Sequence, residues 1–181
     1  LWIRGYVEHA AHMEMEEGLN AILKSNVEAL KIWLKTEEDQ AFAIAQDATL
    51  RDLAGQLQRL AQSDLEALKE SPLHEDFAAA LSPTLRAKRY AGYVLLNQDK
   101  VIVTCDRPAL IGTERSTNYD IVDRTIERGR SVTPPIRSRV LLPGVDGEQR
   151  VGQPTMFATA VVNDTTGNLA GVLGLRIKPN E

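Results

Sequence analysis

Apolar residues recur at three- and four-residue steps through the first part of the chain. Leu19, Leu23, Val27, Leu30, Leu34, Ala41 and Ala45 follow this spacing, with one step skipped at Glu37 and Glu38. The period places them on one helical face and predicts a long helix from about Tyr6 to Gln46. Leu23, Val27, Leu30 and Leu34 form the clearest stripe, and Ile22, Trp33 and Ile44 widen it. No proline interrupts the segment, and Gly18 is its weak point. About forty helical residues span about 60 Å. That exceeds the diameter of a small domain, so the segment is expected to project or to pair with a second copy of itself. Asp47 or Thr49 is placed to cap a second helix running to about Gln62, with Asp52 three residues after Thr49 as in a capping box. Ser63 can cap a short helix through Leu68, which Pro72 ends. A further helix is expected from about Glu75 to Leu81 or beyond, broken or restarted at Pro83.

The pattern changes near Tyr90. Val, Ile and Thr rise, and Gly and Pro punctuate the chain. Tyr93 to Leu96 and Val101 to Thr104 flank the turn Asn97-Gln98-Asp99-Lys100 and predict a hairpin. A helix from about Tyr119 to Arg128 stops at Gly129. One strand is expected from Ser131 to about Leu142, with Pro134 and Pro135 demoting it to an edge or bulged strand. A closing hairpin runs from Thr155 to Val162, through a turn at Asn163 to Asn168, then from Leu169 to Ile177. The alternation of Phe157, Thr159 and Val161 with Met156, Ala158, Ala160 and Val162 suits a sheet with one face on helices and the other on a pocket. Five antiparallel strands with a helix inserted after the second predict an α+β fold: a PAS-like sheet flanked by helices, behind a long N-terminal helix. The expected organisation is a signalling helix over 1–46, a helical connection packed on the sheet over 47–89, and the sensor sheet over 90–181.

Composition narrows the function. Hydrophobic residues make up 43% of the 181 and charged residues 25%, as in ordinary globular proteins. A formal charge of −4 argues against a nucleic-acid partner, which needs a concentrated basic face. The single cysteine, Cys105, excludes an internal disulfide and a cysteine-based zinc site. The chain starts at Leu1, which suggests a segment of a longer protein. No run approaches the roughly 20 apolar residues that span a bilayer. There is no G-x-S-x-G, no phosphate-cradling glycine loop and no paired cysteine, so no catalysis and no cofactor is expected. His9 and His12, with Glu8 and Glu16, lie at helical spacing, but a third convergent ligand is lacking and an exposed helical face explains them; no metal is expected.

The run from Gly92 to Thr104 resembles the first hairpin of the Cache sensor domains, which are PAS-like modules of bacterial membrane receptors. Leu110-Ile111-Gly112 is similar to the turn that follows it there. Ser131 to Ser138 resembles the family's strand after the inserted helix. The tail from Met156 to Pro179, with Gly167 in the turn and Gly171-Val172-Leu173-Gly174-Leu175 after it, resembles the closing hairpin. The resemblance implies a non-catalytic module that binds a small molecule, an organic acid or amino acid. It implies a place on the periplasmic or extracellular face of the bacterial inner membrane, with transmembrane helices on either side. The leucine stripe of the N-terminal helix is expected to form a homodimer. It also implies an output domain: first a sensor histidine kinase, with a chemoreceptor or cyclic-nucleotide enzyme as alternatives. A cytosolic PAS- or GAF-like regulatory module and a ligand-free interaction module are the rival readings.

Candidate ligand contacts follow from placement. Ser116-Thr117-Asn118-Tyr119 opens the inserted helix, where free backbone N–H groups attract anions. Thr117 is a candidate donor and Tyr119 a candidate wall, although Thr117 with Asp120 also has capping spacing. Tyr119 matches the family's aromatic there, and Thr117 stands where many amino-acid-binding members carry Arg. Arg137 and Arg139 share a strand face and can hold a carboxylate if that face is the pocket. Tyr93, Met156, Ala158 and Thr159 are candidate lining residues, with ordinary core as the alternative. Asp164, beside the last turn, is a candidate that turn chemistry also explains.

Overall fold

The computed structural model describes residues 2–114, 119–138, 140–143 and 147–177, with side chains over 15–114, 121–138, 140–142 and 147–177. Helix α1 spans Trp2–Ala45. The chain forms two units, 1–36 and 37–181. In the first, Met15, Leu19, Ile22, Leu23, Val27 and Leu30 are exposed.

The second unit begins with the last turns of α1, where Ala41 and Ala45 are fully buried. Helix α2 (Ala48–Ser63) starts at Asp47, whose carboxylate accepts from the Thr49 and Leu50 N–H groups at 2.9 and 3.0 Å. Asp47 therefore takes the cap for which Thr49 also competes, and Asp52 bonds Gln56. Asp64, and not Ser63, caps the short α3 (Leu65–Lys69). Helix α4 (Leu73–Ala87) starts earlier than expected and runs through Pro83 without a break. A proline removes one ladder bond, and burial of Phe77 and Leu81 on the same helix holds it together. The helix ends with Arg89 at φ 60° and the Tyr90 N–H on the Leu85 carbonyl at 2.9 Å, a Schellman-type closure.

The sheet follows. Strands β1 (Gly92–Leu96) and β2 (Ile102–Cys105) form the hairpin, with Lys100 at φ 64° in its turn. A 3-10 turn (Pro108–Leu110) leads towards α5 (Tyr119–Arg128). The strand expected over 131–142 is three short pieces, β3 (Arg130–Val132), β4 (Ile136–Arg137) and β5 (Leu142–Pro143). Pro134 and Pro135 carry no N–H, so the ladder to the next long strand stops after Thr133 and resumes at Ile136. Strand β6 (Gln149–Arg150), absent from the sequence reading, pairs with β5. Strands β7 (Pro154–Asn163) and β8 (Leu169–Ile177) close the fold. The main sheet is antiparallel with order β2-β1-β8-β7-β3, and β4 also pairs with β7, giving six strands where five were expected.

Alternation sorts the sheet into two faces. Tyr93 and Leu95 of β1, Ala158, Ala160 and Val162 of β7, and Leu173 and Leu175 of β8 join Leu57, Leu68, Phe77 and Leu81 in one apolar core. The helices cover that face. Val94, Phe157, Thr159, Val172, Gly174 and Arg176 occupy the other.

Candidate functional site

That second face is hollow. It floors a cavity of about 320 Å³, within the size range of small-molecule sites. The floor comes from Thr155, Phe157 and Thr159 of β7, Val172, Gly174 and Arg176 of β8, and Val94 and Leu96 of β1. Ile121 and Val122 of α5 form one wall. Asp106, Arg107 and Leu110 after β2 form a second, and Ile136, Arg137, Ser138 and Val140 a third. At Gly174 an added Cβ would lie 3.1 Å from Val94 Cγ1, so the glycine keeps the floor open there.

Among the described residues four cationic side chains border the cavity, Lys100, Arg107, Arg137 and Arg176, against one carboxylate, Asp106. Two of the cations are engaged. Lys100 Nζ meets Asp123 at 3.1 Å, and Arg176 Nη1 lies 3.6 Å from Asp106 Oδ2. Arg176 is buried and its guanidinium sits 5.3 Å from the Phe157 ring centroid. Desolvation raises the Asp106 carboxyl above its ordinary range, outweighing the lowering by Arg176 and Arg107. Arg107 Nη2 donates to the Leu141 carbonyl at 2.8 Å, while its buried Nε has no hydrogen-bond partner among the described residues. Thr155 is only 3% exposed, and its Oγ1 also lacks a partner. Buried polar atoms are nearly always bonded, so these two are open to a bound molecule or water.

Thr159 is the best-connected polar group on the floor. Its Oγ1 donates to the Ser131 carbonyl at 3.0 Å and shares a 2.7 Å bond with Thr125 Oγ1. It ties β7 to β3 and α5. Thr133 Oγ1 accepts from the Phe157 N–H at 2.9 Å and fixes the neighbouring step.

The candidates read from sequence are distributed as follows. Thr159 and Arg137 border the cavity, as does Tyr93, although the Tyr93 ring packs on Phe77 with centroids 5.6 Å apart on the helical side. Met156 lies on the opposite face of β7 from Thr159, against the core, and Ala158 is in that core too. Asp164 is away from the cavity. It organises the β7–β8 turn, accepting from the Thr166 and Asn168 N–H groups at 2.9 Å each, and the Thr166 hydroxyl leads these bonds in holding its carboxyl below the usual range. The backbone of Tyr119 opens α5. Its side chain lies outside the described residues, as do Thr117 and Arg139, and so do the side chains of His9 and His12. Sequence reasoning missed Arg107, Thr155, Phe157 and Arg176. For Arg176 a signal existed: a charge inside the apolar strand Leu173-Gly174-Leu175-Arg176-Ile177.

No protein-family model matches the sequence, and no curated protein matches it. Solved structures do. The ligand-binding domain of the Campylobacter jejuni chemoreceptor Tlp3, in complex with 4-methylisoleucine, is similar with a TM-score of 0.50 at 14% identity, over 84% of this chain and 53% of that one. The E. coli DcuS sensor domain is similar with a TM-score of 0.49 at 13% identity, over 80% of this chain and 90% of that one. The chain thus spans about half the length of the Tlp3 domain. What this chain shares with the Tlp3 domain is the fold, an α+β architecture of a long N-terminal helix, packed helices and an antiparallel sheet.

Proposed function

We propose that this chain is the extracytoplasmic small-molecule-sensing domain of a membrane-bound signal-transduction receptor, and that it is not itself catalytic. The observation that carries the reading is the cavity on the uncovered sheet face, with orphaned donors at Arg107 Nε and Thr155 Oγ1. A domain folded only for support would fill such a space with side chains. The Cache-like fold supports the same reading.

The signalling element is α1. Its final turns are tied to the sensor sheet at two points. The Tyr90 hydroxyl donates to Glu37 at 2.9 Å, and Arg130 Nη1 meets Asp39 at 2.9 Å while its guanidinium lies over Phe42. A ligand that binds two arrangements of the sheet unequally shifts their populations, and through these ties the state of α1. In our reading the full-length receptor has transmembrane helices on either side of this domain and a histidine kinase as output, and two copies pair along the exposed α1 stripe.

A thermal-shift screen over amino acids, organic acids and neutral metabolites tests the sensing function. A true ligand at a hundredfold excess over its Kd stabilises the domain by about 2.7 kcal/mol. A second arm replaces Val172, on the cavity floor, by Phe. The filled domain should stay folded and stop responding. A flat screen together with an unchanged Val172→Phe receptor response would sink the proposal.

A further inference from the structure

We infer that the ligand is an amphiphilic monoanion, a mostly hydrocarbon body with one acidic head, and not a diacid or a zwitterionic amino acid. The inference rests on the cavity being the ligand site. Aliphatic side chains are the largest group in its wall, Val94, Leu96, Ile102, Leu110, Ile121 and Val172 among them, with Phe157 on the floor. A compact polar metabolite would leave this surface wet or empty, whereas burying hydrocarbon against it is favourable.

The charge pattern fixes the head. The chain carries a formal −4, yet among the described residues its cavity is bordered by four cations and one carboxylate. Asp106 faces Arg176, and Asp123 faces Lys100. Arg107 and Arg137 have no ion pair among the described residues. Both border the cavity beside the β4–β5 segment. Arg137 belongs to β4, and Arg107 reaches Leu141, four positions further on. Thr155, whose hydroxyl is orphaned, pairs with Ile136 in the adjoining register. A carboxylate beside this segment takes the Arg107 Nε–H and the Thr155 hydroxyl, with Arg137 at the exposed rim, and so satisfies both buried orphans at once. The other two cations on the lining, Lys100 and Arg176, are held by Asp123 and Asp106. A second carboxylate would have to displace one of these carboxylates or be desolvated against aliphatic walls. The ammonium of an amino acid would have to sit beside the same arginines. The remaining acid, Asp106, is already opposed by Arg176 and offers an ammonium little.

The test is a matched six-carbon series, titrated calorimetrically into the purified chain: hexanoate, hexanamide, adipate and norleucine, with acetate as the short acid. Hexanoate should bind tightest. Hexanamide, adipate and norleucine should each be about tenfold weaker or worse, through lost charge or stranded polar groups. Acetate should be weaker by about two-hundredfold, for four buried methylenes. Arg107→Gln should reduce hexanoate to the level of hexanamide. Thr155→Val guards against a folding artefact, because it removes an unbonded hydroxyl. It should leave the apo melting temperature unchanged or raised while weakening hexanoate. Equal or tighter binding of adipate, norleucine, hexanamide or acetate would overturn the inference and leave the cavity as a ligand site. If none of the five binds, and the broader screen is also flat, the sensing function falls with it.

Discussion

Gly55 sits where α2 crosses the β7–β8 turn. A Cβ added there would lie 2.8 Å from Asp164 Cβ and 3.8 Å from Asp164 Cα. No rotamer change moves either atom, and the turn is fixed to α2 because Arg51 donates to the Asn163 and Asp164 carbonyls at 2.8 and 2.7 Å. Gly18 has nothing within 4 Å of the same position. The two glycines therefore predict opposite signs for one substitution. Gly18→Ala should raise helicity, being worth about 1 kcal/mol in helix propensity. Gly55→Ala gains the same propensity but forces α2 off the turn, at about 1–3 kcal/mol, so its melting temperature should fall. Circular dichroism melts of the two variants decide this, and a stabilised Gly55→Ala would refute the close approach. Asp164 supplies a pH test. Its folded carboxyl is held below the unfolded value of 3.8 by the Thr166 and Asn168 donors. Its contribution is therefore present in full above that value and is lost as pH falls through the folded pKa. Asp164→Asn keeps an acceptor and removes the titration. The stability gap between wild type and variant should narrow below pH about 4, and a gap independent of pH would count against the turn geometry.

At the scale of elements, strand parity explains both what was legible in the sequence and what was not. Phe157 and Thr159 were readable as one face of β7, because the strand is long and regular. The same rule separates Met156 from Thr159, since residues an odd number apart cannot share a face. In β1 the run Tyr93-Val94-Leu95-Leu96 is apolar on both faces, so nothing in the sequence shows that Tyr93 turns towards Phe77. Arg107 and Thr155 were invisible for another reason. They line one cavity from chain segments that only the tertiary fold brings together, and a sequence pattern carries no record of that. The long helix was legible because its period is sustained over many turns. Its exposed stripe gives the element-scale prediction. If two copies pair along α1, Leu23→Asp with Val27→Asp places charge on the seam and should shift the chain to monomer in sedimentation, while the melting of the 37–181 unit is unchanged. A wild-type chain that sediments as a monomer at high concentration would exclude this pairing for the isolated domain.

At the scale of the whole molecule, sensing requires that occupancy of the cavity reach α1. Arg130 is the residue best placed to carry it. On one side it meets Asp39 and lies over Phe42, both on α1. On the other it is followed in β3 by Ser131, whose carbonyl accepts from Thr159 on the cavity floor. One peptide step therefore separates a contact with the helix from a contact with the site. The Arg130–Asp39 pair is substantially exposed on both sides, at 36% and 48%. Pairs of that kind contribute about 0–1 kcal/mol to stability. They are poor explanations for the fold, but they can act as a couple between two arrangements that differ little in energy. The roles separate experimentally. In Arg130→Ala the melting temperature and the affinity for hexanoate should stay close to wild type, because neither the core nor the head-group donors are touched. The output response of the full-length receptor to ligand should be lost or strongly reduced. Asp39→Ala should do the same, and combining the two changes should add little, since both remove one link. A single-variant receptor that signals normally would show that the message leaves the sheet by another route. The remaining tie is Tyr90–Glu37, where burial, with the Glu37 bond added, pushes the phenol well above its usual range and keeps it a donor at every physiological pH.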